Sequence, residues 1–284
     1  MTQAAADTIE TPTGKGSGDE NFPVGSFLLP KALRPHVATY YALARATDDI
    51  ADNGALSPED KLTRLDRFEK ALTGEIPEDP ALEKSYAVRR SADATGVPLQ
   101  HAIDLIHAFQ QDAVKQRYDS WDDLMGYCAL SASPVGRFLL DLHGEDSVKF
   151  AGSDALCNVL QVLNHLQDLA KDYHALNRVY LPGDWMTAGG VTVDDLDQDA
   201  ATPGLRHVID QCLDGCEVLM KQARPLARQL ENRRLAMETA VIVRLADRLL
   251  ALLRKHDPIA GRVALGKLDF LSCGVRGIMA GLFR

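Results

Sequence analysis

Residues 41–52 read YALARATDDIAD and residues 161–172 read QVLNHLQDLAKD. At about 100° per residue, a helix puts Tyr41, Arg45, Asp48 and Asp52 within roughly 60° of one another. That face carries a phenol, a guanidinium and two carboxylates, whereas Leu43, Ala44, Ile50 and Ala51 suit packing on the other. The same geometry gathers Gln161, Asn164, Asp168 and Asp172 within roughly 80°. Leu160, Leu163, Leu166 and Leu169 lie elsewhere around that cylinder, so a polar stripe runs along an oily helix.

Outward from these two stretches the chain reads as helix. Apolar residues recur at three- and four-residue steps, and alternating strand patterns are scarce. Ser57-Pro58-Glu59-Asp60 supplies a cap, a proline at the first helical position and an acid two residues later, and Ser120 with Asp123 repeats the cap. Ser153 reads as the opening of another helix, while Gly74, Gly96 and Gly144 stand where helices stop. The spacing predicts helices over 31–53, 58–73, 79–95, 98–116, 121–143, 153–176, 204–231, 235–256 and 258–282. Residues 1–20 are small and polar and read as a disordered tail, and no internal boundary follows, so 21–284 is expected to form a single all-α domain.

Composition narrows the function. The balance of 46% hydrophobic and 25% charged residues is that of an ordinary globular chain, and a net charge of -9 argues against a nucleic-acid surface. Five cysteines (Cys128, Cys157, Cys212, Cys216, Cys273), with no C-x-x-C, suggest neither a disulfide framework nor a zinc knuckle and fit a reducing cytoplasm. No apolar run approaches the ~18 residues of a membrane span, and the first twenty residues lack the apolar core of a signal peptide.

An aspartate pair alone is weak evidence. With 29 aspartates in 284 residues, about three D-x-x-x-D pairs arise from composition. Five occur, at 48/52, 119/123, 168/172, 195/199 and 210/214. The pairs 48/52 and 168/172 differ in having polar company inside helices otherwise apolar enough to be buried. Buried carboxylates are expensive without a counter-charge. Four carboxylates and few histidines suit a hard divalent cation, and Mg²⁺ binds through one or two carboxylates plus substrate phosphates. The pattern therefore points to Mg²⁺, or Mn²⁺ in its place, bridging protein to a diphosphate whose departure leaves a carbocation. Arg45 suits a bidentate grip on phosphate oxygens.

YALARATDDIAD together with NHLQDLAKDYHALNRVYLP (164–182) resembles the squalene/phytoene synthase family. FPVGSFLLP (22–30) and YCALSASPVGR (127–137) match further landmarks, and the likeness runs from about residue 21 to about 270. The resemblance implies an isoprenoid-synthase-type helical bundle with a central apolar cavity. N-H-L-Q-D, R-V-Y-L-P and S-A-S-P-V-G-R look like the hopanoid-pathway branch that converts presqualene diphosphate to hydroxysqualene and releases diphosphate. The alternatives are squalene or phytoene (dehydrosqualene) synthesis by head-to-head condensation of two farnesyl or geranylgeranyl diphosphates, or a non-catalytic assembly protein of the same fold.

Residue by residue, the resemblance makes Asp48, Asp52, Asp168 and Asp172 the metal–diphosphate carboxylates and Tyr41 and Arg45 diphosphate-side residues. Gln161, Asn164 and Phe22 become substrate-site residues, and Arg178 and Tyr180 the R-x-Y beyond the second motif. There are departures. Gln167 stands where the family pattern has arginine before the aspartate, Lys171 where an acid is frequent, and Asn21 where serine is common. A missing arginine weakens the hold on a second diphosphate and fits a substrate with one. The implied partners are presqualene diphosphate and the enzyme that makes it. No NADPH is expected; no G-x-G-x-x-G follows a strand, which excludes a classical dinucleotide fold, although helical enzymes can bind NADPH differently.

His165, beside the acidic stripe, is read as structural, with a proton-shuttling role as the alternative. Cys212 and Cys216 are read as core neighbours and Trp121 and Trp185 as packing anchors. Pro134, among small residues at 129–136, is expected to kink its helix and either allow close helix packing or leave room for prenyl chains. The end of the chain combines Arg262, Lys267, Arg276 and Arg284 with Leu268, Leu271, Met279 and other apolar residues. It reads either as a packed final helix or as a peripheral contact with the inner face of the membrane.

Overall fold

The computed structural model describes residues 9–12 and 28–282. Phe22 and most of the landmark 22–30 lie outside the described residues, as does most of the expected tail. Apart from two very short strands the described chain is helical, and it gathers into two compact units.

The first unit holds Lys31–Val114 and the stretch Ile9–Pro12. Its helices are α1 (Arg34–Ala51), α2 (Pro58–Thr73), α3 (Glu83–Thr95) and α4 (Gln100–Asp112), with a 3-10 turn at Pro80–Leu82 before α3. α1 packs against all three others. Ser57 caps α2 by accepting the Asp60 N–H at 3.2 Å, and α2 stops at Gly74 with φ +81°, a left-handed conformation that glycine adopts without a Cβ clash. Leu65, Phe68, Leu72, Leu82 and Ile106 are fully buried. Residues 9–12 depart from the expectation of a loose tail. Ile9 is buried, its carbonyl accepts from Arg64 at 3.0 Å, and Glu10 pairs with Lys84.

The second unit holds Leu28–Pro30 and Lys115 onward. In order come β1 (Arg117–Tyr118), α5 (Trp121–Ser131), α6 (Ser133–Leu142), α7 (Phe150–Gln167), α8 (Leu169–Leu176), β2 (Val179–Pro182) and α9 (Gly183–Ala188). After a 3-10 turn at Val193–Asp197 follow α10 (Pro203–Ala223), α11 (Leu226–Gln229), α12 (Arg233–Lys255) and α13 (Lys267–Leu282). α7 is central, packing on α6, α10 and α12, and α13 lies along α12. β1 and β2 pair in parallel, a feature too short to show in an apolar pattern.

Three expected helices are interrupted and the last begins late. The helix over 121–143 breaks at Ala132 (φ −122°, ψ −50°), where Pro134 enters the first turn of α6. The span 204–231 breaks at Pro225. The final helix starts at Lys267 rather than 258, leaving Asp257–Gly266 as a connecting segment. The helix over 153–176 begins at Phe150, so Ser153 does not cap it, and it ends at Gln167. Small residues in 129–136 serve close packing, since a Cβ on Gly136 would lie 2.7 Å from Cys157 Sγ on α7. Trp121 and Trp185 stack at 5.5 Å with an interplanar angle of 10°, and Cys212 and Cys216 are buried neighbours.

Candidate active site

The carboxylates of the first motif end α1. Asp48, Asp49 and Asp52 all sit in its last turn or cap, with no basic residue in that turn. The C-terminal end of a helix is already electronegative, so three carboxylates there oppose the dipole and call for cations. The protein supplies two. Lys61 Nζ donates to the Ala51 carbonyl at 2.8 Å, and Arg45 reaches down one turn. Its Nε and Nη2 donate to Asp49 Oδ1 at 3.0 and 2.6 Å, and Nη2 also pairs with Asp48. Asp49 is buried and lies off the Tyr41–Asp52 stripe, so sequence reasoning missed it. The signal was present in the i,i+4 spacing to Arg45. Tyr41 and Asp52 are half-buried beside this cluster.

The second motif is bent. Asp168 takes φ −104° and ψ 14°, closing α7 and opening α8. The hydrogen bonds from Asp168 N–H to Asn164 O (3.0 Å) and from Asp172 N–H to Asp168 O (2.8 Å) bracket the bend. Gln161 and Asn164 are half-buried along α7, between fully buried Val162, Leu163, His165 and Leu166. The polar stripe is thus real, but it continues onto α8 around a corner rather than along a straight cylinder. Asp172 falls in the first turn of α8, where the helix dipole favours a carboxylate.

Asp168 is buried and held from an element that sequence reasoning did not connect with it. Arg262, in the segment before α13, donates from Nε to Asp168 Oδ1 at 2.8 Å, and Lys171 Nζ lies 3.5 Å from Oδ2. Beside it, Gln167 Nε2 donates to Val263 O at 2.6 Å. A 94-residue separation leaves no periodic trace, so Arg262 was visible only as one cation in a basic tail. Arg262 brings positive charge to the neighbourhood of Gln167, where the resemblance implies an arginine.

Arg178 and Tyr180 flank the second motif through its backbone. Asn177 closes α8 in the left-handed region (φ 53°), and the Arg178 N–H donates to Asp172 O at 3.3 Å. Arg178 is buried. Tyr180, on β2, stacks on His165 with centroids 3.5 Å apart, within a cluster that includes Tyr118 and Tyr127. His165 is buried, and its Nε2 has no hydrogen-bond partner among the described residues. Burial, with the nearby Arg178 charge, pushes the imidazole down to about 3, so it is neutral at physiological pH. The other aspartate pairs have structural partners. Lys115 pairs with Asp123, Arg206 with Asp210 and Arg254 with Asp214, and Asp195 belongs to a capping box.

Each unit therefore presents one oxygen-rich ridge, Asp48/Asp52 in the first and Asp168/Asp172 in the second. Among the described residues no three His, Cys, Asp or Glu side chains converge into a metal cage. The donor set is all oxygen, with three carboxylates at the end of α1. That fits a hard cation whose remaining ligands come from substrate phosphate and water.

The sequence matches the Squalene/phytoene synthase family over residues 16–269. A hydroxysqualene synthase of Zymomonas mobilis is 42% identical over 261 residues, covering 91% of this chain and 87% of that protein. One of Rhodopseudomonas palustris is 42% identical over 266 residues, covering 92% and 89%. Among solved structures, squalene synthase HpnC from Alicyclobacillus acidocaldarius superposes with a TM-score of 0.71 at 34% identity, covering 82% of this chain and 87% of that one.

Proposed function

Because the chain belongs to the squalene/phytoene synthase family, we propose that it converts presqualene diphosphate to hydroxysqualene in squalene and hopanoid biosynthesis. The observation that carries this reading is the pair of D-x-x-x-D ridges, set in a chain that is 42% identical over most of its length to hydroxysqualene synthases. In the reaction the carbon–oxygen bond to the diphosphate breaks heterolytically and the electron pair leaves with the diphosphate. The cation rearranges, water forms the new carbon–oxygen bond, and one proton is released.

Asp48, Asp52, Asp168 and Asp172 would hold Mg²⁺, which when bound supplies charge neutralisation of the departing diphosphate. The protein's own groups do the rest. Arg45 keeps Asp48 and Asp49 in place, and its guanidinium suits phosphate oxygens. Tyr41, Gln161, Asn164 and Arg178 orient the diphosphate. Tyr180, ring-stacked on His165, gives that wall a fixed shape. The apolar cavity that the family resemblance implies would shelter the cation from premature quenching. The oily substrate and product favour cytoplasmic work at the inner face of the membrane, near the enzyme that supplies presqualene diphosphate.

The alternative is direct condensation of two prenyl diphosphates to squalene or phytoene. The missing arginine at Gln167 does not separate the two readings, because Arg262 lies against Asp168. Product analysis does. Purified protein with presqualene diphosphate and Mg²⁺, without NADPH, is expected to give an oxygenated C30 alcohol and diphosphate. No turnover there, with squalene or phytoene formed from farnesyl or geranylgeranyl diphosphate, would overturn the proposal.

A further inference from the structure

The outer face of α13 is apolar and uncovered among the described residues. Leu268, Leu271, Val275 and Met279 follow at steps of three and four, within about 80° of one another, and are 81%, 64%, 56% and 48% exposed. The inner face is committed elsewhere. Gly277 lies so close to α12 that a Cβ there would sit 2.7 Å from Val241 Cα. Core packing therefore does not explain the outer stripe.

Along one edge of the stripe, Ser272 and Arg276 form the lip of a groove of about 470 Å³ between α12 and α13. Arg244, Asp247, Arg248, Asp269 and Cys273 also line it. Both carboxylates are already paired, Asp247 with Arg224 at 2.8 Å and Asp269 with Arg248 at 2.7 Å. Among the described residues the Arg244 and Arg276 side chains have no carboxylate partner. The groove thus keeps two surplus guanidinium groups on a chain whose net charge is -9.

We propose that this face docks the protein on anionic lipid, with the Leu268–Met279 stripe at the acyl boundary and lipid phosphate in the arginine groove. Guanidinium groups recognise phosphate oxygens bidentately, and an apolar helix stripe bordered by arginine suits the headgroup–acyl boundary. A second copy fits less well, because a two-fold contact places the same patch against itself and brings the surplus arginines together. The role of the docking, delivery and release of oily compounds, rests on the proposed function; the binding itself does not.

The test is flotation of the full chain with vesicles of phosphatidylcholine alone, or of phosphatidylcholine and phosphatidylglycerol at about two to one. The protein should float with the anionic vesicles only, and raised salt should release it. Arg244→Gln with Arg276→Gln should weaken partitioning about 25-fold, equivalent to ~2 kcal/mol at ~1 kcal/mol per charge near the surface. Leu271→Ser with Val275→Ser should also weaken it at least about tenfold. Both variants should keep wild-type circular dichroism and wild-type turnover of detergent-dispersed presqualene diphosphate. Failure of the wild type to bind anionic vesicles, equal binding to neutral ones, or undiminished binding of either variant overturns the docking. So does a wild-type dimer that the serine variant converts to monomer. Lipid binding without turnover in detergent would overturn the proposed function and leave the docking intact.

Discussion

Burial of His165 makes the fold sensitive to acid in a way that one substitution can isolate. In the native state the imidazole is held down to about 3, first by desolvation and second by the Arg178 charge. In the unfolded chain it titrates near ~6.5. Between those values the unfolded state binds the proton and the native state does not, so stability falls as pH falls. The contribution is complete above about pH 6.5 and is progressively lost towards about pH 3. Going from about pH 7.5 to about pH 5 costs ~2 kcal/mol, the free energy of protonating a group with that unfolded value about one and a half units below it. For a chain of this length, that corresponds to roughly 4–8 °C in melting temperature. His165→Phe keeps a ring against Tyr180 and removes the titrating nitrogen. Thermal melts followed by circular dichroism across this range should show the wild type losing ~4–8 °C more than the variant. His143, half-buried and also lowered by desolvation, titrates in both proteins and cancels in the difference. Parallel melting curves at all pH values would refute the reasoning.

Other consequences can be checked with similar economy. Asp48→Ala or Asp168→Ala should reduce diphosphate release by at least about a hundredfold while leaving helicity unchanged; activity retained in both would remove the ridges from the mechanism. Chelation with EDTA should stop turnover and added Mg²⁺ restore it, and persistent activity in EDTA would exclude the metal role. Gly136→Val should destabilise by about 1–3 kcal/mol, because its side chain enters the space of Cys157 Sγ and Ser153; an unchanged melting temperature would mean that α6 and α7 separate freely. Ser57→Ala should cost about 1 kcal/mol through loss of the hydrogen bond from Asp60 N–H, measured by the same melts.

Local signals carried much of the fold. Ser57 and Ser120 cap helices, Gly74, Gly96 and Gly144 take positive φ where helices were expected to stop, and Pro134 marks a real break. The faces of the two acidic motifs were also legible, because burial imposes helical periodicity on the surrounding leucines. What escaped the sequence depends on distant partners. Asp168 stands at a bend without glycine or proline, next to Gln167 and under Arg262, both tied to the segment before α13. Ile9 is buried in a stretch that composition marks as loose. Residues 117–118 and 179–182 pair as strands too short to impose a pattern. Asp49 was passed over because face geometry favoured its neighbour, although the spacing to Arg45 pointed to it.

The central claim, ionisation followed by capture of water, is tested most directly by turning over presqualene diphosphate in H₂¹⁸O with Mg²⁺ and locating the label. The account predicts ¹⁸O in the hydroxyl of a rearranged C30 alcohol and none in the released diphosphate. Label in the released phosphate, with an unrearranged alcohol that keeps its original oxygen, would mean phosphorus–oxygen hydrolysis and would contradict it.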